Sequence, residues 1–329
     1  MNRLSALLAA AAIALSLGQT TALADDAVSI RLSWSVAGYG HASFYLGRER
    51  GFFKDVGIDL TIREGRGSVA AAQAVAAGED TFGISAGDAI VTAVARGLPI
   101  KAIMTHENVS GYAVITRRDS GISSLKDLEG KIVATTPGDG PNNMFRAVMA
   151  ASDIDPAKVR MLNIDPAGKI PLLVEKRADA ILGGVQDQPQ KLDKLGVPNS
   201  SLPFYEAGVS VVGQSILTSK KLINDNPELI ARFATAALKS FAAASEDPEA
   251  TVAAVVASVP EVNPDVLLKQ IQIDVSRLVL NPLKDKPIGY PDMNGWQKTV
   301  GFMKQYADLP SSVNVSDVVT CQFVDNVEK

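Results

Sequence analysis

The chain has 329 residues, enough for two medium domains or one large α/β unit. Hydrophobic residues make up 47% and charged residues 21%, which excludes wholesale disorder and predicts a packed core. A formal net charge of −4, without long basic runs, argues against nucleic acid as the main partner.

The N-terminus carries Arg3, then LSALLAAAAIALSL, then polar GQTT and Ala22-Leu23-Ala24. A charged start, a short apolar middle and an A-x-A end predict a secretory signal peptide over residues 1–24, cleaved after Ala24. Its removal takes away Arg3 alone and leaves 31 − 36 = −5. The expected location is periplasmic. No cysteine follows the apolar run, which argues against a lipid anchor, and no later stretch reaches the roughly 18 apolar residues of a membrane span.

From residue 28 the pattern alternates strand and helix. VSIRLSW (28–34), IDLTIRE (58–64), TFGIS (81–85) and PIKAIMTH (99–106) read as strands. Between them, helices are predicted over 41–50, 68–77 and 87–96, stopped by Gly51, Gly78 and Gly97. That β-α-β-α-β-α-β order predicts a parallel sheet with helices on its faces. The pattern restarts after Gly111 with strands YAVITR (112–117), KIVATT (131–136), VRMLNI (159–164) and ADAILGG (178–184), and with helices over 142–151 and 168–176. VVGQSILTS (211–219) reads as one more strand. Beyond it the chain is mostly helical. Asn226-Pro227-Glu228, Asp247-Pro248-Glu249 and Asn263-Pro264-Asp265 each place a side-chain cap, a first-turn proline and an acid at a helix start. The predicted fold is α/β with two lobes, parallel-rich sheets flanked by helices, and a helical C-terminal segment on lobe 1. The boundaries are 25–110 plus 212–329 for lobe 1 and 111–211 for lobe 2, with hinges near 110–111 and 207–213.

Two such lobes enclose a cleft, and open α/β sheets bind ligands at the carboxyl ends of their strands. The loops expected there are rich in glycine and hydrogen-bonding groups. Thr-Pro-Gly-Asp-Gly-Pro-Asn-Asn (136–143) lacks the Gly-Lys-Ser/Thr ending of a phosphate loop, so it is either a plain turn or a cleft wall. As a wall it offers Thr136, Gly138, Asp139 and Asn142. Trp34 either packs between lobes or stacks on a planar ligand. His41 either caps its helix or donates to a ring nitrogen or carbonyl, and His106 ends a strand on the hinge side. Ser68 and Ser85 are helix caps first and ligand contacts second. Asp88 and Gln186 stand in further loops of the same kind. Arg66 is either solvated or paired with an anion. Asp187 either caps a helix beside Pro189 or accepts from an exocyclic amine.

The run YLGRERGFFKDVGIDLTIREGRGS (45–68) resembles the opening of periplasmic binding proteins related to the thiamine-pyrimidine synthase family. That group includes binders of taurine, aliphatic sulfonates, nitrate and pyrimidine precursors of thiamine. SSLKDLEGKIVATTPGDG (123–140) is similar to the family's entry into the second lobe. VRMLNIDPAGKIPLLVEKRADAILGGVQDQP (159–189) resembles the subset that binds pyrimidine-like compounds. The resemblance implies a type II-like binding protein, with a polar residue near His41 and an acid or amide at Asp187 over the ligand. It implies the extracytoplasmic component of an ABC importer, a monomer that docks on an inner-membrane permease and captures a small heteroaromatic nutrient such as a thiamine pyrimidine precursor. Taurine, an aliphatic sulfonate or another small anion is the alternative ligand, and a ligand-sensing partner of a membrane receptor is the alternative role.

Enzyme readings find little support. Two histidines, no Gly-x-Ser-x-Gly and no metal-spaced cluster remove the common templates. The eukaryotic pyrimidine synthases of this fold use a cysteine-rich iron motif, whereas Cys321 is the one cysteine here and reads as a semi-buried filler. Neither catalysis nor a cofactor is expected.

Overall fold

The computed structural model describes residues 25–36, 38–279, 283 and 285–325. The signal peptide expected over 1–24 lies outside the described residues. The first part of the chain runs β1 (Asp26–Arg31), α1 (Gly38–Glu49), β2 (Ile58–Arg63), α2 (Ser68–Ala77), β3 (Phe82–Ala86), α3 (Gly87–Ala95) and β4 (Ile100–Thr105). The second runs β5 (Tyr112–Arg117), β6 (Ile132–Thr135), α4 (Gly140–Ala151), β7 (Arg160–Asn163), α5 (Pro166–Val174), β8 (Ala180–Gly184), α6 (Gln188–Lys194) and β9 (Asn199–Pro203). Then follow β10 (Gln214–Ser219), α7 (Lys220–Asp225), α8 (Pro227–Glu246), α9 (Pro248–Ser258) and α10 (Pro264–Ile273). A π-helical turn (Asp274–Leu278) continues α10, and α11 (Met293–Tyr306) and α12 (Val315–Val318) come last.

Two five-stranded sheets result, ordered β2-β1-β3-β10-β4 and β7-β6-β8-β5-β9. Each with its helices forms one lobe. The sheets are mixed rather than uniformly parallel: β10 runs against β3 and β4, and β5 runs against β8 and β9. Both reversed strands directly follow a crossing between lobes. The parallel strands end at the cleft, so a chain crossing the cleft enters the next sheet at that end and runs away from it. A short link delivers this direction, whereas a parallel entry needs a helical crossover. Strand β9 was not anticipated from the sequence; NSSLP lacks the β-branched pattern and pairs at the sheet edge.

Burial explains the strands. All five residues of β3 are buried, as suits a strand covered on both faces. Helix α8 lays Ile230, Phe233, Ala237, Leu238 and Phe241 against lobe 1, and the Phe233 ring stacks on Phe82 at 3.8 Å between centroids. Fully burying a phenylalanine such as Phe233 is worth about 1.5–3 kcal/mol. The three cap-and-proline signatures start helices as read: Asn226, Asp247 and Asn263 accept from the backbone N–H of Leu229, Ala250 and Val266. The C-terminal segment does not stay on lobe 1 alone, because α11 touches both α3 and α4. Its Trp296 is fully buried and donates Nε1–H to Thr105 Oγ1 at 3.1 Å.

Candidate functional site

A cavity of about 290 Å³ lies between the lobes, walled by strand-to-helix loops of both sheets. From lobe 1 come Trp34 in the loop after β1, His41 on α1, Ser68 at the start of α2, and His106 and Glu107 after β4. From lobe 2 come Tyr112, Asp139, Lys169, Gln186 and Asp187. Gln214 and Asp274 complete the inner wall.

The two histidines are neutral at pH 7. Burial drives His41 down to about 4 against a raising backbone bond at Ser35, and its Nε2 lies 3.0 Å from Ser33 Oγ. Burial, aided by the neighbouring His41, drives His106 down to about 3. The His106 ring lies on the Cα of Gly40, where a Cβ would stand 2.0 Å from Nε2. Glu107 is pushed up to about 7 by burial, opposed by the Gln214 backbone N–H. Burial first, then the Glu107 charge, holds Asp274 well above the usual carboxylate range.

The cavity's cations are already engaged. Lys169 is 5% exposed and donates to Asp139 Oδ2 and to the Leu182 carbonyl, each at 3.0 Å. Lys191 pairs with Asp187 at 2.7 Å. No arginine lines the cavity among the described residues.

The structure brings Trp34, His41, Ser68, Asp139, Gln186 and Asp187 to the cavity wall. Two of these carry structural duties as well. Asp139 caps α4 through Asn142 N–H while holding Lys169, and Ser68 Oγ accepts from Ala86 N–H. The other six predicted residues do not reach the wall. Ser85 is fully buried and donates to the Ser68 carbonyl. Asp88 faces the other lobe and accepts from the Tyr112 hydroxyl at 3.0 Å. Asn142 turns back to accept from Thr135 Oγ1. Gly138 supplies a left-handed turn (φ 84°) on the exposed side of its loop, Thr136 is half-buried beside it, and Arg66 points to solvent.

Sequence reading missed Glu107, Tyr112, Lys169, Gln214 and Asp274. A signal existed for Glu107, since IMTHE breaks an apolar strand with three polar residues at the end that faces a cleft. Asp274 had none: it arrives through the packing of α10 against α1, and its Oδ2 accepts from Tyr39 N–H at 2.7 Å. The described residues hold no cluster of metal ligands and no helix long and apolar enough to cross a membrane.

Comparison with known proteins identifies the architecture. The chain is 25% identical over 248 residues to the riboflavin-binding protein RibY of Chloroflexus aurantiacus, covering 74% of this chain and 70% of that one. It is 22% identical over 309 residues to the formylaminopyrimidine-binding protein of Halalkalibacterium halodurans, covering 91% and 92%. It is also 22% identical over 307 residues to an enzyme, the 4-amino-5-hydroxymethyl-2-methylpyrimidine phosphate synthase THI11 of Saccharomyces cerevisiae, covering 88% and 85%. In three dimensions it resembles the alkanesulfonate-binding protein SsuA of Xanthomonas axonopodis pv. citri, solved bound to MOPS. The TM-score is 0.70 at 15% identity, over 91% of this chain and 99% of that one. The NMT1/THI5-like family matches residues 39–251, and the chain belongs to that family.

Proposed function

We propose that this NMT1/THI5-like protein is the extracytoplasmic solute-binding component of an ABC importer, and that it captures a small heteroaromatic compound of the aminopyrimidine type without altering it. The carrying observation is the cavity itself: about 290 Å³, walled by both lobes, with an indole at one side and two neutral imidazoles at another. That volume suits a single substituted ring. Trp34 is half-buried and offers a flat face, while Asp187 and Gln186 offer hydrogen-bond acceptors. The named binders of riboflavin and formylaminopyrimidine among the relatives support the heteroaromatic class. A sulfonate or nitrate finds no uncommitted lysine or arginine on this wall among the described residues. Arg66 lies outside the cavity, and Lys169 and Lys191 are held by carboxylates.

In this reading lobe 1 comprises 25–110 and 212–329, lobe 2 comprises 111–211, and residues 1–24 direct export and are removed. Closure of the lobes hides the ligand and presents the closed form to a permease in the inner membrane. The monomer suffices for binding. Calorimetry with 4-amino-5-hydroxymethyl-2-methylpyrimidine, formylaminopyrimidine, riboflavin, taurine and nitrate tests the assignment. Micromolar or tighter binding of an aminopyrimidine, with recovery of the intact compound, is the expected result. Binding of taurine or nitrate alone, or turnover of any of these compounds, overturns it.

A further inference from the structure

The inner wall of the cavity has a polarity that its outer wall lacks. Asp274 is 1% exposed, yet only its Oδ2 is used, accepting from Tyr39 N–H. Its Oδ1 is buried without a hydrogen-bond partner. The side-chain carbonyl oxygens of Gln186 and Gln214 are in the same condition, and so are both ring nitrogens of His106. All four residues line the cavity. Among the described residues Asp274 has no ion pair; the nearby lysines are committed to Asp139 and Asp187. Nor can the carboxylate turn away, because it closes on the start of α1, where a Cβ on Gly38 would stand 2.1 Å from Oδ2.

Buried acceptors left unpaired are unfavourable, so a wall with three of them is complementary to a guest that supplies donors. Burial holds the Asp274 carboxyl protonated in the empty pocket, so a cationic guest, an aminopyrimidine protonated on its ring nitrogen or an amidinium, displaces that proton and pairs with the resulting carboxylate and the two amides together. An oxo, nitrate or sulfonate edge would set its lone pairs against the Gln186 and Gln214 carbonyl oxygens and gain no ion pair from Asp274. His106 serves either role by choice of tautomer. The position of Asp274 supports a recognition role independently. It opens a π-helical turn at the end of α10, a distortion that recurs where a helix serves a functional site.

We infer that this inner wall is an acceptor pocket for the amino or amidinium edge of the ligand, and that Asp274 is the residue that selects it over an oxo edge. The inference rests on the small-heterocycle reading above and adds its polarity and its selecting residue.

Calorimetry on the full mature chain tests it with two matched pairs: 4-amino-5-hydroxymethyl-2-methylpyrimidine against its 4-oxo counterpart, and benzamidine against benzoate. The amino and amidine members are expected to bind at least about tenfold more tightly, corresponding to about 1.4 kcal/mol. In Asp274→Asn, which retains an oxygen for Tyr39 N–H, the preference should shrink to within about threefold while the melting temperature confirms folding. Gln214→Met, which leaves Asp274 in place, should reduce the preference by a smaller factor. Equal affinity of the wild type for both members of each pair overturns the inference, as does an undiminished preference in Asp274→Asn. Failures are separable. Pyrimidines that bind without amino preference defeat the inference alone. Benzamidine selected through Asp274 while no pyrimidine binds defeats the pyrimidine reading alone, and no binding in either pair defeats both.

Discussion

Gly40 shows how single atoms set this site. It has no side chain because the His106 ring occupies that place. Both residues sit on buried backbone, so the ring cannot retreat without disturbing Phe241, whose ring lies 5.0 Å away. Gly40→Ala therefore overpacks the inner wall. The expected cost is about 1–3 kcal/mol, read as a fall in Tm of about 2–12 °C at 2–4 °C per kcal/mol. An unchanged Tm contradicts the packing described. Trp34 is only half-buried, so its removal should leave folding intact and weaken binding of a planar ring. Loss of one stacking partner corresponds to about 1–3 kcal/mol, or roughly 5- to 150-fold in Kd. Wild-type calorimetric affinity in Trp34→Ala would remove the indole from the site.

Among the elements, the contact of α3 with β5 carries a testable charge. Asp88 at the start of α3 meets the Tyr112 hydroxyl of β5, and burial lifts its carboxyl from 3.8 to about 7 against the lowering effect of that bond. Glu107 is lifted to about 7 in the same way. Raised folded values mean that both contributions are fully present below the ordinary carboxylate pKa and are lost as pH rises through about 7. His41 and His106 act with the opposite sign, since folded values of about 4 and about 3 lie below 6.5. Their contribution is present above pH 6.5 and lost as pH falls. Above about pH 7 the histidine contribution is nearly complete while the raised carboxyls, Asp274 among them, are still losing protons, so Tm is expected to decline between about pH 7 and 8. Asp88→Asn keeps an acceptor for Tyr112 and should flatten the decline; a slope as steep as wild type would assign the effect elsewhere. The elements themselves were largely legible in the sequence. Glycine stops and proline-flanked caps are local signals, and they marked α2, α8, α9 and α10. The reversal of β5 and β10 was not legible, because strand direction depends on which end of a sheet the chain enters. Half the cavity wall was equally hidden: Asp274 lies far along the chain from Trp34, and only the packing of α10 on α1 brings them to one hollow.

For the whole molecule, the decisive contacts are those that join the lobes. On one side of the cavity Tyr112 bonds Asp88; on the other, Gln270 on α10 donates Nε2–H to Asp187 Oδ1 at 2.9 Å. The second bond spans the mouth and involves a residue that also lines the cavity. Gln270→Ala should therefore favour an open arrangement in the empty protein. Small-angle scattering is expected to give a larger radius of gyration than wild type, and saturating ligand should restore the compact value. Identical radii for empty wild type and variant would deny Gln270 a part in closure. One consequence of the topology concerns the order of assembly. The sheet of β5 to β9 is built from consecutive strands, so residues 112–203 hold everything that sheet needs. The other sheet waits for β10 to fill the place between β3 and β4. As the chain is made, its middle portion is thus equipped to mature first, while the earlier-made portion stays unfinished until residue 219 has been added.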